Sequence, residues 1–376
     1  MKAYVFTDKS LERYAGQFVW LSIDTENGKN ASFLAKYPIS VWPTLMVLDA
    51  GKESVALKYA GGATVPQLQK LLDDGRRAAQ GARSPADEAI ARGDKLANAG
   101  KHADAALAYR EAIAAAPKSW MRLGRAAESL VFELSMARDN SRCLEEALVL
   151  YPRVAGTYSA MNVAGSGLGC ATELKDDDPR RASAIASLEK ATRATLDDPK
   201  IPLSGDDKSG LYQSLISARE AVKDDAGAHA LREEWSAFLD GVAAKAQTPE
   251  QRAVYDSHRL SAYLELNTPE KAIPMLEQSE RDFPKDYNPP SRLSVAYKAM
   301  KKYDEALAAT ERALARAYGP RKIGIYRNRS DIFALKGDKE SARKTLEEAI
   351  RYAEALPKEQ QAASVIASMK KKLETM

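Results

Sequence analysis

Between Tyr287 and Tyr318 the apolar positions recur every three or four residues, the spacing that gathers side chains on one face of a helix. Leu293, Ala296, Tyr297 and Met300 form one stripe, and Ala306, Leu307, Ala309, Ala313, Leu314 and Ala317 form a second. The pattern predicts two amphipathic helices joined by a tight turn. Alanines on the facing stripes let the backbones approach closely, while Tyr297 and Tyr303 fill the remaining space. One such hairpin cannot bury its own apolar face, so it needs neighbours of the same kind.

Those neighbours recur along the chain. Residues 323–356 carry Phe333 where Tyr297 stood, Gly337 at the turn, then Ala342, Leu346 and Ala349. Residues 253–286 carry Leu260, Tyr263, Ala272, Leu276 and a closing Pro284. Residues 86–118 carry Gly93 inside the first helix, Leu96, Gly100 at the turn, Ala105, Tyr109, Ala112 and a closing Pro117. With residues 287–320 these are the four clearest copies. A period of about 34 residues with small and aromatic residues in fixed places resembles the tetratricopeptide repeat. The resemblance implies a mainly α fold, an α–α superhelix over residues 87–376.

Residues 118–250 read as drifted copies of the same helix pairs. One pair turns at Asp139-Asn140, and the next has Gly165, Gly167 and Gly169 inside its first helix. Those glycines point to close packing or a soft spot. A phosphate-binding loop would need Lys-Ser/Thr after the last of them, and Cys170-Ala171 stand there. The runs Lys175–Asp178 and Asp206-Asp207-Lys208 read as solvated acidic loops. A last helix, with Lys370, Lys371 and Lys372 near its C-terminus to complement the helix dipole, would cap the array.

Residues 1–78 have a different texture. Phe18–Asp24 is an apolar, β-branched and aromatic run of the kind buried in a sheet. A helix follows, with Asn30 as its N-cap. Two strands, Thr44–Asp49 and Ser54–Tyr59, are joined around Gly51 as a hairpin. Gly61-Gly62 break the chain before a closing helix from Val65, with Pro66 in its first turn. Residues 76–87, rich in Ala, Gly, Ser, Pro and Arg, read as a linker, placing the domain boundary at residues 79–86.

The order strand, helix, hairpin, helix, with Trp42-Pro43-Thr44 just before a strand, resembles the second half of a thioredoxin fold. The resemblance implies a small, incomplete α/β domain ahead of the helical array. It also implies a cis proline at Pro43, in a substrate-facing loop formed by Val41, Trp42, Pro43 and Thr44. The family's Cys-x-x-Cys is missing, since no cysteine occurs in residues 1–142. So is the central strand that precedes it. Two explanations compete: Met1 is an internal methionine of a longer protein, or the domain is a degenerate docking module whose sheet re-pairs. The first fits the well-kept pattern of residues 1–78 better.

Composition narrows the function classes. A net charge of +4 on 376 residues, with Lys and Arg interleaved among Asp and Glu, gives no electrostatic case for nucleic acid. No apolar run reaches the roughly 20 residues of a membrane helix. The N-terminus lacks a signal-peptide pattern, which reads as a soluble chain of unassigned compartment; export to a periplasm is the alternative if the natural start lies upstream. Cys143 and Cys170 read as buried free thiols. His102, His229 and His258 lie far apart, without metal-ligand spacing. No catalytic residue, metal or cofactor is expected.

The expectation is a non-catalytic scaffold that binds a peptide or protein segment in its groove. The alternative is a thiol-disulfide oxidoreductase whose redox half lies upstream of Met1. By periodicity, His258, Arg292, Lys298, Arg327 and Asn328 project from the first helices of the last three clear repeats. Arg and Asn there could hold a carboxylate or a peptide backbone through charge-assisted bonds. They do not form the fuller carboxylate-clamp pattern of the family.

Overall fold

The computed structural model describes residues 1–39, 41–80, 84–117 and 120–376. In chain order it contains α1 (Ala31–Lys36), β1 (Thr44–Asp49), β2 (Ser54–Ala60), α2 (Val65–Gln80), α3 (Pro85–Asn98), α4 (His102–Ala115), α5 (Leu123–Met136) and α6 (Asn140–Val154). Then follow α7 (Ser159–Thr172), α8 (Arg181–Asp197), α9 (Gly205–Ala221), α10 (Asp225–Ala244), α11 (Pro249–Ala253), α12 (Asp256–Glu265) and α13 (Ala272–Asp282). The last elements are α14 (Asn288–Ala299), α15 (Tyr303–Arg316), α16 (Arg321–Lys336), α17 (Lys339–Glu354) and α18 (Ala363–Glu374). The fold is mainly α, a tetratricopeptide-like succession of helix pairs, with one small antiparallel sheet near the N-terminus. It divides into two compact units, residues 1–15 with 39–235 and residues 16–38 with 236–376.

In the first unit β1 and β2 pair antiparallel, Thr44 opposite Ala60 and Val47 opposite Leu57, with an irregularity after Val47. Helix α2 packs on this hairpin through Gly75, where an added Cβ would lie 2.5 Å from the Val47 side chain. The Trp42–Pro43 peptide is cis. The residues read as a linker are largely helical: α2 runs to Gln80, and α3 begins at Pro85 under a Ser84–Asp87 capping box. Residues 81–83 of that linker lie outside the described residues.

Within the repeats the small residues sit where helices touch. Gly93 faces the Tyr109 ring, and a Cβ there would come within 2.7 Å of it. Gly167 faces Ala147 and Leu188, so close packing is the role of the middle glycine in an unbroken α7. Asp206 and Asp207 form the first turn of α9 rather than a loop, Asp207 completing a capping box with Ser204. Asp178 does lie in a turn, paired with Arg180.

Two expectations are corrected here. Cys143 and Cys170 are not free thiols but form a disulfide, with α-carbons 6.1 Å apart. Their sequence separation of 27 hid the pairing. Consecutive antiparallel helices bring the start of α6 beside the end of α7. The other correction concerns Phe18–Asp24, which is not a strand: among the described residues only β1 and β2 pair. A strand needs a neighbouring strand to pair with; among the described residues the run pairs with none, and Val19 is 88% exposed.

In the second unit the repeat core is built from Leu260, Tyr263, Ala272, Leu276, Leu293, Ala296 and Ala309. A second cluster, around Ile323, Leu346 and Ala349, is closed by Met369 of α18. Residues 24–28 lie across the turns between repeats. Asp24 accepts from Tyr318 Oη at 2.6 Å, Glu26 pairs with Arg321 and accepts from Tyr287, and Gln360 donates to Thr25 O at 3.1 Å. Helix α1 begins at Ala31, but Asn30 does not cap it; its amide donates to Asp24 O at 2.8 Å.

Candidate functional site on the first-helix face

The first helix of each pair carries the polar residues that an apolar helix pair does not need for its own packing. In the first unit these helices are α3, α5, α7 and α9. Arg125 and Glu128 are three residues apart on α5, so both sit on one face. That face is buried. Arg125 Nη2 meets both oxygens of Asp94 on α3 at 2.5 and 2.6 Å, and Tyr109 Oη donates to the same carboxylate at 2.7 Å. Burial works against the charge on Arg125, but Asp94 outweighs it and holds the guanidinium above its ordinary range.

This network reaches the N-terminal hairpin. Arg125 Nη2 lies 3.4 Å from Lys58 O, and Lys58 Nζ donates to Asn98 at 3.1 Å. Arg122 bridges Asp74 of α2 and Asp87 of α3. Asn162 on α7 donates to Glu128 at 2.7 Å and approaches Tyr59 Oη at 3.4 Å. Thus β2 and α2 lie against the first-helix face of α3, α5 and α7, fixed by buried ion pairs.

Tyr59, Gln67, Lys70, Leu71, Asp74, Arg125, Glu128 and Tyr158 line a narrow cleft at this junction. Burial pushes the Glu128 carboxyl up to about 7, against the pull of its Asn162 hydrogen bond and of Arg125. Burial also lowers Lys58 and raises Glu133, which His102 Nδ1 meets at 2.7 Å. Arg125 with Asp94, and Arg122 with Asp74 and Asp87, pair their charges across elements, an arrangement suited to anchoring. Among the described residues no cluster of three or more His, Cys, Asp or Glu could hold a metal ion.

In the second unit the first helices are α12, α14 and α16. Two of the five groove residues read from the sequence are joined. Lys298 Nζ of α14 donates to Asn328 Oδ1 of α16 at 2.6 Å, and Asn328 Nδ2 donates back to Ser294 Oγ at 2.8 Å. These bonds form a polar ladder across two successive first helices, in which, among the described residues, the Lys298 ammonium meets a neutral acceptor and no carboxylate. Arg327 is exposed on α16 and His258 half-buried on α12. Arg292 is half-buried, and burial lowers its guanidinium against the pull of Asp256 on α12.

Asp256 is fully buried near the Ser279 hydroxyl, and burial raises its pKa against the pull of Ser279 and of Arg292. In the loop before β1, Trp42 is 58% exposed, Val41 half-buried and Pro43 exposed, and Thr44 Oγ1 donates to Val41 O at 2.6 Å. Periodicity missed Asp94, Arg125, Glu128, Asp256 and Ser294. Arg125 and Glu128 could have been found as charges flanked by alanines on an otherwise apolar helix.

Residues 323–356 match the tetratricopeptide repeat family. No curated protein matches the chain. Among solved structures, a tetratricopeptide repeat protein from Parabacteroides merdae is 12% identical, covering 77% of this chain and 99% of that one, with a TM-score of 0.47. BtubC from P. vanneervenii is 18% identical, covering 58% and 89%, with a TM-score of 0.39. The TPR2AB domain of yeast Sti1 in complex with pHSP90 is 16% identical, covering 77% and 98%, with a TM-score of 0.29.

Proposed function

We propose that this protein is a non-catalytic protein–protein interaction scaffold, a tetratricopeptide array that holds an extended peptide or protein segment along the first helices α12, α14 and α16. The Ser294–Asn328–Lys298 ladder carries this reading. It spans neighbouring repeats, as an extended ligand must, and it places an uncompensated ammonium and an amide side by side. Arg327, one residue before Asn328 on α16, adds a second cation for a ligand backbone or carboxylate.

Residues 1–78 are read as an incomplete thioredoxin-like element without redox cysteines, supported by the β1–β2 hairpin followed by α2. Its role in this reading is structural, because β2 and α2 occupy the first-helix face of α3, α5 and α7. The test is a peptide array probed with the whole protein, followed by titration of the best binder. Lys298→Ala or Asn328→Ala should weaken binding about ten-fold or more, the scale of a charge-assisted hydrogen bond. A binder insensitive to Lys298, Asn328 and Arg327 substitutions would show that the ladder is not the site. With dithiothreitol present, the purified protein should not speed the reduction of insulin disulfides above the background rate.

A further inference from the structure

Residues 24–27, which belong to the second unit, form a turn built by its own bonds. Asp24 Oδ1 accepts from Glu26 N at 2.9 Å, and Asn27 N donates to Asp24 O at 3.3 Å. Asn30 Nδ2 reaches the same carbonyl at 2.8 Å. The turn presents Asp24 Oδ2, the Glu26 carboxylate and Thr25 O to the repeats.

Three successive loops of the array receive these groups. Tyr318 Oη, just ahead of α16, donates to Asp24 Oδ2 at 2.6 Å. Arg321, the first residue of α16, pairs with Glu26, and Tyr287 Oη at the start of α14 donates to the same carboxylate at 3.3 Å. Gln360 Nε2, between α17 and α18, donates to Thr25 O at 3.1 Å. The carboxylates thus lie at the N-terminal ends of α14 and α16, where the helix dipoles favour negative charge. Gly319 permits the close approach: its φ is +56°, and an added Cβ would run into the Glu26 carbonyl oxygen. These contacts are polar and partly open to solvent, with the Arg321 side chain 55% and Tyr318 47% exposed. Such bonds are screened by salt and hold weakly.

We propose that this inter-repeat edge is a recognition site for an acidic Asp-x-Glu turn of another protein, and that residues 24–27 cover it in the free chain. Because the resident turn is shaped by its own bonds, the edge reads two carboxylates and one carbonyl, whichever chain supplies them. Its donors sit on the loops between repeats, apart from the Ser294–Asn328–Lys298 ladder, so it is a second surface and not part of the groove. A turn in the same chain competes at an effective concentration on the order of 1 mM. An outside segment therefore has to displace it.

The probe is a fluorescein-labelled peptide of residues 20–31, titrated with the whole protein and read by anisotropy. The double variant Asp24→Ala with Glu26→Lys strips both carboxylates from the resident turn. Its affinity for the peptide should exceed the parent's by about ten-fold or more, as expected when the competent state is no longer masked. Adding Arg321→Ala should remove that gain, and a peptide carrying the same two substitutions should not bind. Lys298→Ala should leave the peptide affinity unchanged, and circular dichroism spectra should match the parent throughout. No binding to the double variant, or equal affinity for it and the parent, overturns the proposal. So does binding that is lost with Lys298→Ala but kept with Arg321→Ala, which would place the peptide in the groove.

Discussion

Glu128 is a carboxyl held in a low-dielectric cleft, and its titration should be visible in the stability of the whole unit. The unfolded chain ionises it near the ordinary 4.5, whereas burial raises the folded value to about 7. Between those values the folded state holds the proton that the unfolded state releases, so the stability this group contributes is present below pH 4.5 and lost as pH rises through 7. Denaturation midpoints measured across that window should fall with pH, and Glu128→Gln should flatten the slope. Gly93 offers a second residue-scale test. Its neighbour Tyr109 is tied to Asp94 and cannot swing aside, so Gly93→Val should cost about 1–3 kcal/mol in chemical denaturation. The close-packed glycine was legible in the sequence because repeats keep small residues in fixed places. Glu128 was not, since nothing in its own helix reveals that α2 and β2 cover it.

At the scale of elements, the apolar period of the last repeats was sufficient to locate helices and their contact faces. Ala306, Ala309, Ala313, Ala342 and Ala349 are all fully buried, as the facing-alanine argument requires. Ala342→Glu would bury a charge without a partner between α16 and α17. It should unfold the unit cooperatively in a thermal melt followed by circular dichroism, and Ala306→Glu should do the same between α14 and α15. The hairpin was equally legible, because alternation and a central glycine are local signals. Phe18–Asp24 was misread for the opposite reason. Apolar, β-branched composition states that a segment can pair, but pairing depends on a neighbouring strand that composition does not supply. Likewise, the Ala- and Arg-rich stretch after Asp74 resembles a linker in composition yet continues α2.

For the whole molecule, the disulfide between α6 and α7 changes the energetics most. Closing a loop of 27 residues restricts the unfolded chain by about 3.5 kcal/mol in the chain-entropy account. Cys143→Ser with Cys170→Ser should lower the denaturation midpoint of the first unit by that order, and a double variant as stable as the parent would show the bond to be dispensable. The sequence could not reveal the pair, because only the antiparallel course of two successive helices brings their opposite ends together. Both sulfur-bearing residues are sealed, Cys143 at 0% and Cys170 at 1% exposure. A reductant therefore reaches the bond only through unfolding, and the redox state is fixed when the helices close. Each folded chain thus keeps a chemical record of the conditions in which it matured. Alkylation of the denatured protein, followed by mass measurement, would read that record whatever solution the protein had since passed through.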